Sequence, residues 1–348
     1  MVQQTGSTPS GQRWLVAAIG IVLVGTGAVA GCGDDDDPRT AGTTTSIEGT
    51  DTTATSAAPA ATTPTCVDQA LVERHVIVCR AADAPGQGQD EDQGLVIALH
   101  GRGSSAAEMR AVTELDRSAT EAGLAVAYPD ALDGGWGDDT FTTPTRPDGD
   151  EDVAFLDDLI AALRSAPGID DGPVGVVGFS NGASMALRYA VERPDDVRAV
   201  VAVAGQLPRD LAVRPTRPVP LLEVYGTADP LRDYDTGIAD PPDRRPGQPT
   251  PTLSTPDTVA AFTALVAGAP GSSHEGPTES DHDPADGTRL RTERWSDDAG
   301  TTVVWHTIVD GGHTWPSGHA PQPETNGVVS AELDTSAEAI AFVVGPRR

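Results

Sequence analysis

Positive charge is scarce in this sequence. Only 23 Lys and Arg stand against 52 Asp and Glu among 348 residues, a formal net charge of −29. No Lys/Arg-rich block breaks the pattern, so nucleic acid is a poor partner class, because neutralising phosphates takes a basic footprint. The acid excess predicts a soluble monomer and identifies no substrate. Cysteine is equally sparse: Cys32 stands apart, and Cys66 and Cys79 lie close together. No internal repeat and no second domain is visible. What remains, with 38% hydrophobic residues, suffices for the core of one large domain with a leader and a tail.

After Gln12 and Arg13, an apolar run at 14–30 ends in Val29-Ala30-Gly31-Cys32. A thin positive start, a short apolar stretch and small residues before a cut describe a secretory signal peptide. This ending resembles a bacterial lipobox, in which the cysteine is lipidated and becomes the mature N-terminus. The resemblance implies a leader at 1–31 and a lipid on Cys32 that holds an extracellular protein on the cell membrane. An uncleaved anchor is the alternative, since about 17–25 residues span a bilayer. Residues 32–65 begin with four aspartates, Asp34 to Asp37, and continue rich in Thr, Ser, Ala and Pro. With almost no large apolar side chains, that stretch cannot offset the entropy cost of ordering, and it reads as a flexible tether. The aspartates read as a solvated patch, not a metal site. The folded domain is predicted at 66–348. Its two cysteines, Cys66 and Cys79, bracket a strand-like run at 74–78. A disulfide there fits a secreted protein and would contribute roughly 3 kcal/mol in the chain-entropy model. Two buried free thiols are the alternative.

Continuous apolar runs at 94–99, 124–128, 173–179, 197–204, 220–225 and 303–309 predict strands buried on both faces. Between them, helices are predicted at 105–121, 152–163, 181–192 and 256–266, with a last one at 336–344. Asp150 is the expected cap of the second helix, where acids suit the positive end. The alternation implies parallel strands joined by crossover helices. Pro/Gly/Asp-rich stretches at 237–255 and 269–287 read as long surface loops.

One turn carries chemistry. Gly178-Phe179-Ser180-Asn181-Gly182 follows an apolar strand and opens a helix, the setting of a nucleophile elbow. An ordinary Gly-rich turn with an N-cap serine is the alternative. A serine needs a base, and the base an orienting acid. In hydrolases built on such an elbow they follow in the order Ser, acid, His. Asp229 lies just past the 220–225 strand, with Asp233 and Asp235 as more distant rivals. His313 lies past the 303–309 strand on a Gly-rich loop, with His319 as its nearest rival. The loop His100-Gly101-Arg102-Gly103 follows the first core strand, where one oxyanion-binding amide is expected. Arg102 is the expected donor, with Gly103 next, and Asn181 supplies the second amide. His100 is expected to hold the loop.

With these residues placed, the chain resembles the polyhydroxybutyrate depolymerase and feruloyl esterase-like group of α/β-hydrolases. The matching pieces are Leu99-His100-Gly101, Tyr128-Pro129-Asp130, Trp136, residues 151–155, the elbow, residues 225–230 and Gly311-Gly312-His313-Thr314-Trp315-Pro316. The resemblance spans about residues 70–345. It implies an α/β-hydrolase fold and a serine esterase with no metal or organic cofactor. The implied substrates are polyesters, aromatic acyl esters or short acyl esters. Trp136 and Trp315 would form an apolar wall for the acyl group or serve only in packing. No appended polymer-binding domain is legible, which points away from crystalline polymer. A non-catalytic acyl- or cell-wall-binding lipoprotein and a peptidase of the same fold are the other readings.

Overall fold

A computed structural model of the chain describes residues 63–81, 93–138, 149–211, 214–238 and 251–345. The leader, Cys32 and the tether up to residue 62 lie outside the described residues. The strands are β1 (Pro64–Leu71), β2 (Arg74–Ala81), β3 (Gly94–Leu99), β4 (Leu124–Pro129), β5 (Val174–Phe179), β6 (Val197–Val203), β7 (Leu221–Gly226), β8 (Ser273–Ser280), β9 (Arg289–Ser296) and β10 (Thr302–Val309). The helices are α1 (Ala106–Thr113), α2 (Leu115–Glu121), α3 (Asp150–Arg164), α4 (Asn181–Glu192), α5 (Thr255–Ala267) and α6 (Thr335–Val344).

All ten strands form one sheet in the order β1-β2-β4-β3-β5-β6-β7-β10-β9-β8. The six central strands, β4 to β10 in that order, pair in parallel, as the alternating pattern predicts. Because successive side chains point to opposite faces, their apolar runs serve two layers. Ile97, Val176, Leu221 and Val303 pack with Leu156 of α3, Met185 of α4 and Phe262 of α5. Val96, Val177, Leu222 and Val304 pack with Met109 of α1, Leu115 of α2 and Ile340 of α6.

Four expectations change. The helix predicted at 105–121 is two helices, because Glu114 turns left-handed (φ 43°) and its amide closes α1 on the Arg110 carbonyl. Gly149, not Asp150, occupies the cap of α3, at a φ of 71° that favours glycine. The stretch 269–287 is not a plain loop: it contains β8, the antiparallel edge strand paired with β9. The tether's last two residues, Pro64 and Thr65, already belong to β1. Of the other predicted loop, residues 239–250 lie outside the described residues. Cys66 and Cys79 sit directly opposite each other in the β1–β2 ladder and form a disulfide, so the free-thiol alternative falls.

Candidate active site

Ser180 occupies the turn between β5 and α4 with φ 56° and ψ −118°, a conformation a serine rarely adopts. The turn holds because both neighbours that must lack a side chain are glycines. A Cβ on Gly178 would lie 2.2 Å from the Gly182 carbonyl oxygen, and one on Gly182 would lie 2.2 Å from the Leu99 carbonyl oxygen. The strained serine is pinned on both sides: its amide donates to the Val203 carbonyl, and its own carbonyl accepts from Ser184. Such strain is characteristic of functional positions.

The loops beyond β7 and β10 bring Asp229 and His313 to this serine. His313 Nδ1 lies 2.6 Å from Asp229 Oδ2, and His313 Nε2 lies 2.7 Å from Ser180 Oγ. A carboxylate only accepts, so the proton sits on Nδ1 and the lone pair of Nε2 faces the serine hydroxyl. Asp229 Oδ1 accepts from the amides of Leu231 and Arg232 at 2.7 and 2.9 Å, which fixes the carboxylate. Arg232 is itself held, its guanidinium donating to the Ser184 hydroxyl at 2.7 Å. The rivals are elsewhere. Asp233 folds its own exposed turn, where the Thr236 hydroxyl and amide hold its carboxyl below the usual range. Asp235 also lies on that turn, and its amide donates to Asp233. His319 sits 3.8 Å from Glu114.

Close to Ser180, the loop after β3 is folded around His100. Its Nδ1 donates to the Gly101 carbonyl at 2.7 Å and its Nε2 accepts from the Ala131 amide at 2.9 Å. Both ring nitrogens are engaged in the neutral form, and burial pushes the imidazole pKa down, which keeps it neutral. Gly103 donates its amide to the Gly134 carbonyl at 2.7 Å and is therefore committed to the scaffold. Arg102 lines the same cavity as Ser180, and Asn181 follows Ser180 as the first residue of α4. The Arg102 guanidinium is lowered in pKa by burial, offset by Asp138.

A cavity of about 520 Å³ opens over Ser180 and His313, with Met109, Val112, Leu231 and Trp315 among its walls. Leu231 is 59% exposed at its rim. Trp315 contributes to the wall although it is fully buried, its indole N–H donating to Ser336. Trp136 does not: it is 0% exposed, stacks on Phe155 and donates to the His100 carbonyl at 3.0 Å. The acyl-wall expectation is thus corrected for Trp136, which packs beneath the loop. Sequence reasoning also missed Arg232 and the side chain of Asn181, because their partners are distant in sequence.

Among known proteins, the phospholipase/carboxylesterase family matches residues 86–240. A protein of Nocardia uniformis subsp. tsuyamanensis named "Putative esterase NocK" is 38% identical over 82% of this chain and 85% of its own length. Feruloyl esterase B of Piromyces equi is 27% identical over 43% of this chain and 28% of its own length. The structure of an acetyl xylan esterase from Aspergillus awamori covers 72% of this chain and 94% of its own, with 14% identity and a TM-score of 0.45. The extent and identity of the Nocardia match, on a sheet of this order with this elbow, show that the chain belongs to the esterases of the α/β-hydrolase fold.

Proposed function

We propose that this esterase hydrolyses carboxylic esters through an acyl-enzyme on Ser180. The observation that carries the proposal is the unbroken line from Asp229 through His313 to the Ser180 hydroxyl, at 2.6 and 2.7 Å. Ser180 Oγ attacks the ester carbonyl carbon while His313 Nε2 takes the hydroxyl proton. Asp229 stabilises the imidazolium without taking the proton. The amides of Arg102 and Asn181 receive the negative charge that develops on the carbonyl oxygen. The C–O bond breaks, the alcohol leaves with the proton from His313, and a water activated by the same imidazole releases the acid.

The cavity and its apolar walls suit a short acyl or aromatic acyl group, and the partial likeness to a feruloyl esterase supports the aromatic class. The test is fluorophosphonate labelling of the full chain beside Ser180→Ala, with p-nitrophenyl and feruloyl esters as substrates. Labelling and turnover that vanish in the variant support the proposal. Folded wild-type protein that takes no label defeats it.

We further propose that the enzyme works outside the cytoplasm, lipid-anchored through Cys32. The lipobox-like Val29-Ala30-Gly31-Cys32 supports this, as does the Cys66–Cys79 disulfide, a bond that persists in oxidising compartments. Among the described residues, no helix is long and apolar enough to cross a membrane. Cys32→Ala is expected to shift the protein from the membrane fraction to the soluble one. Equal partitioning of both proteins would refute the anchor.

A further inference from the structure

We infer that the side chain of Asn181 is a positioning residue that sets the two oxyanion-binding amides against each other through the segment 131–137. The inference rests on the acyl-transfer function proposed above and assigns a new part to this side chain. The two amides belong to different pieces of chain. Arg102 follows β3, and Asn181 opens α4. The backbone ladder joins β3 to β5 as far as Leu99 opposite Gly178 and stops short of both donors. Something else must hold them in register.

The segment 131–137 does so. On the loop side, Ala131 donates to His100 Nε2, and the Trp136 indole donates to the His100 carbonyl at 3.0 Å. The Gly134 carbonyl accepts from Gly103, the residue next to Arg102. On the helix side, Asn181 Oδ1 accepts from the Trp136 amide at 2.7 Å, while Asn181 Nδ2 donates to the Trp136 carbonyl at 3.0 Å. The carboxamide thus pairs with one residue's backbone as a neighbouring strand would. Behind, Gly137 donates to Asp152 at 2.5 Å and accepts from Arg188 at 2.8 Å, which fixes the segment to α3 and α4. Asn181 is 2% exposed, so water cannot replace these bonds cheaply. The pairing needs one donor and one acceptor on a short stem, which asparagine provides and an ionised aspartate does not.

The test uses the full chain and steady-state hydrolysis of a p-nitrophenyl ester between pH 5 and pH 8, with circular dichroism to confirm folding. Asn181→Ala keeps the backbone amide and loses the clasp. Its kcat is expected to fall on the order of 100-fold, the effect of a misplacement of about 1 Å, with KM little changed. Asn181→Asp is expected to be as poor at pH 8. Its deficit relative to wild type should narrow as pH falls, because a protonated carboxyl regains the donor to the Trp136 carbonyl. The Asn181→Ala deficit should stay flat across the same range. Trp136→Phe keeps the backbone partners of Asn181 but loses the indole donor to the His100 carbonyl and part of the ring packed on Phe155, so it should lower kcat from the loop side; the pH dependence of Asn181→Asp carries the test if Asn181→Ala does not fold. Wild-type kcat in a folded Asn181→Ala, or a pH-flat Asn181→Asp deficit, overturns the inference while leaving the esterase intact. A wild type that neither hydrolyses esters nor takes a fluorophosphonate overturns the parent function and this inference together.

Discussion

Glu223 is a carboxyl group in the wrong place by ordinary rules. It lies in β7, is 0% exposed, and neither of its oxygens has a hydrogen-bond partner among the described residues. Burial alone raises its pKa well above the ordinary glutamate value, so the folded protein holds it as a neutral acid. In the unfolded chain it ionises near pH 4.3. Above that pH the unfolded state has released a proton that the native state keeps. Stability is therefore fully present below about pH 4.3, and each further pH unit removes about 1.4 kcal/mol until the folded pKa is reached. Glu223→Gln removes the titration and keeps an unpaired polar group. Glu223→Met removes both, and also relieves a burial cost of about 1–3 kcal/mol. The assay is urea denaturation of wild type and both variants at pH 5, 6 and 7. All other titrating groups are shared, so differences between the curves isolate this side chain. Glu223→Gln is expected to gain on wild type as pH rises from 5, by about 1.4 kcal/mol for each pH unit below the raised folded pKa. Glu223→Met should follow in parallel from a higher starting point. A gap that does not change with pH would refute the neutral, unpartnered acid.

Other consequences are equally open to measurement. Asp229→Asn should leave the fold intact but lower kcat on the order of 10⁴-fold, because an amide no longer fixes the imidazole tautomer or steadies the imidazolium; a loss below about tenfold in a kcat assay would remove Asp229 from the proposed role. Replacing both cysteines, Cys66→Ser with Cys79→Ser, should cost roughly 3 kcal/mol in denaturant midpoint analysis, and an unchanged midpoint would make the disulfide energetically idle. His75 bonds to Asp68 and Asp130, and these partners, the Asp68 bond foremost, raise its pKa. Its contribution is therefore complete below about pH 6.5 and fades as pH rises through the raised value, so the stability gap to His75→Gln should be widest in mild acid and close in alkali. A gap of constant size would refute that titration.

How much of this was legible in the sequence follows from where each element is buried. The six parallel strands announce themselves because burial on both faces demands unbroken apolar runs, and Gly94–Leu99 or Val174–Phe179 could scarcely be read otherwise. The antiparallel margins give no such signal. In β8 every residue from Ser273 to Glu279 is exposed, and Pro277 interrupts it, so the composition reads as loop. Ser180, Asp229 and His313 were legible because strand ends and chain order locate them. The supports were not. Asn181 meets Trp136 from 45 residues away, and Arg232 meets Ser184 from 48. Those contacts exist only after the sheet has brought distant loops together, and nothing local in the sequence encodes them. The break at Glu114 was missed for the opposite reason: a helical pattern runs through it, and only the backbone records the turn.

The position of the last strand has a consequence for timing. β8, β9 and β10 follow one another as an antiparallel meander, and β10 alone joins that meander to β7. The inserted strand is also the one whose end presents His313, 133 residues after the Ser180 hydroxyl it bonds. Docking β10 and bringing His313 to Ser180 are thus a single event. A chain that has folded only as far as β7 holds Ser180 and Asp229 but lacks His313, so the proposed triad is complete only once β10 has docked, with α6 still to follow.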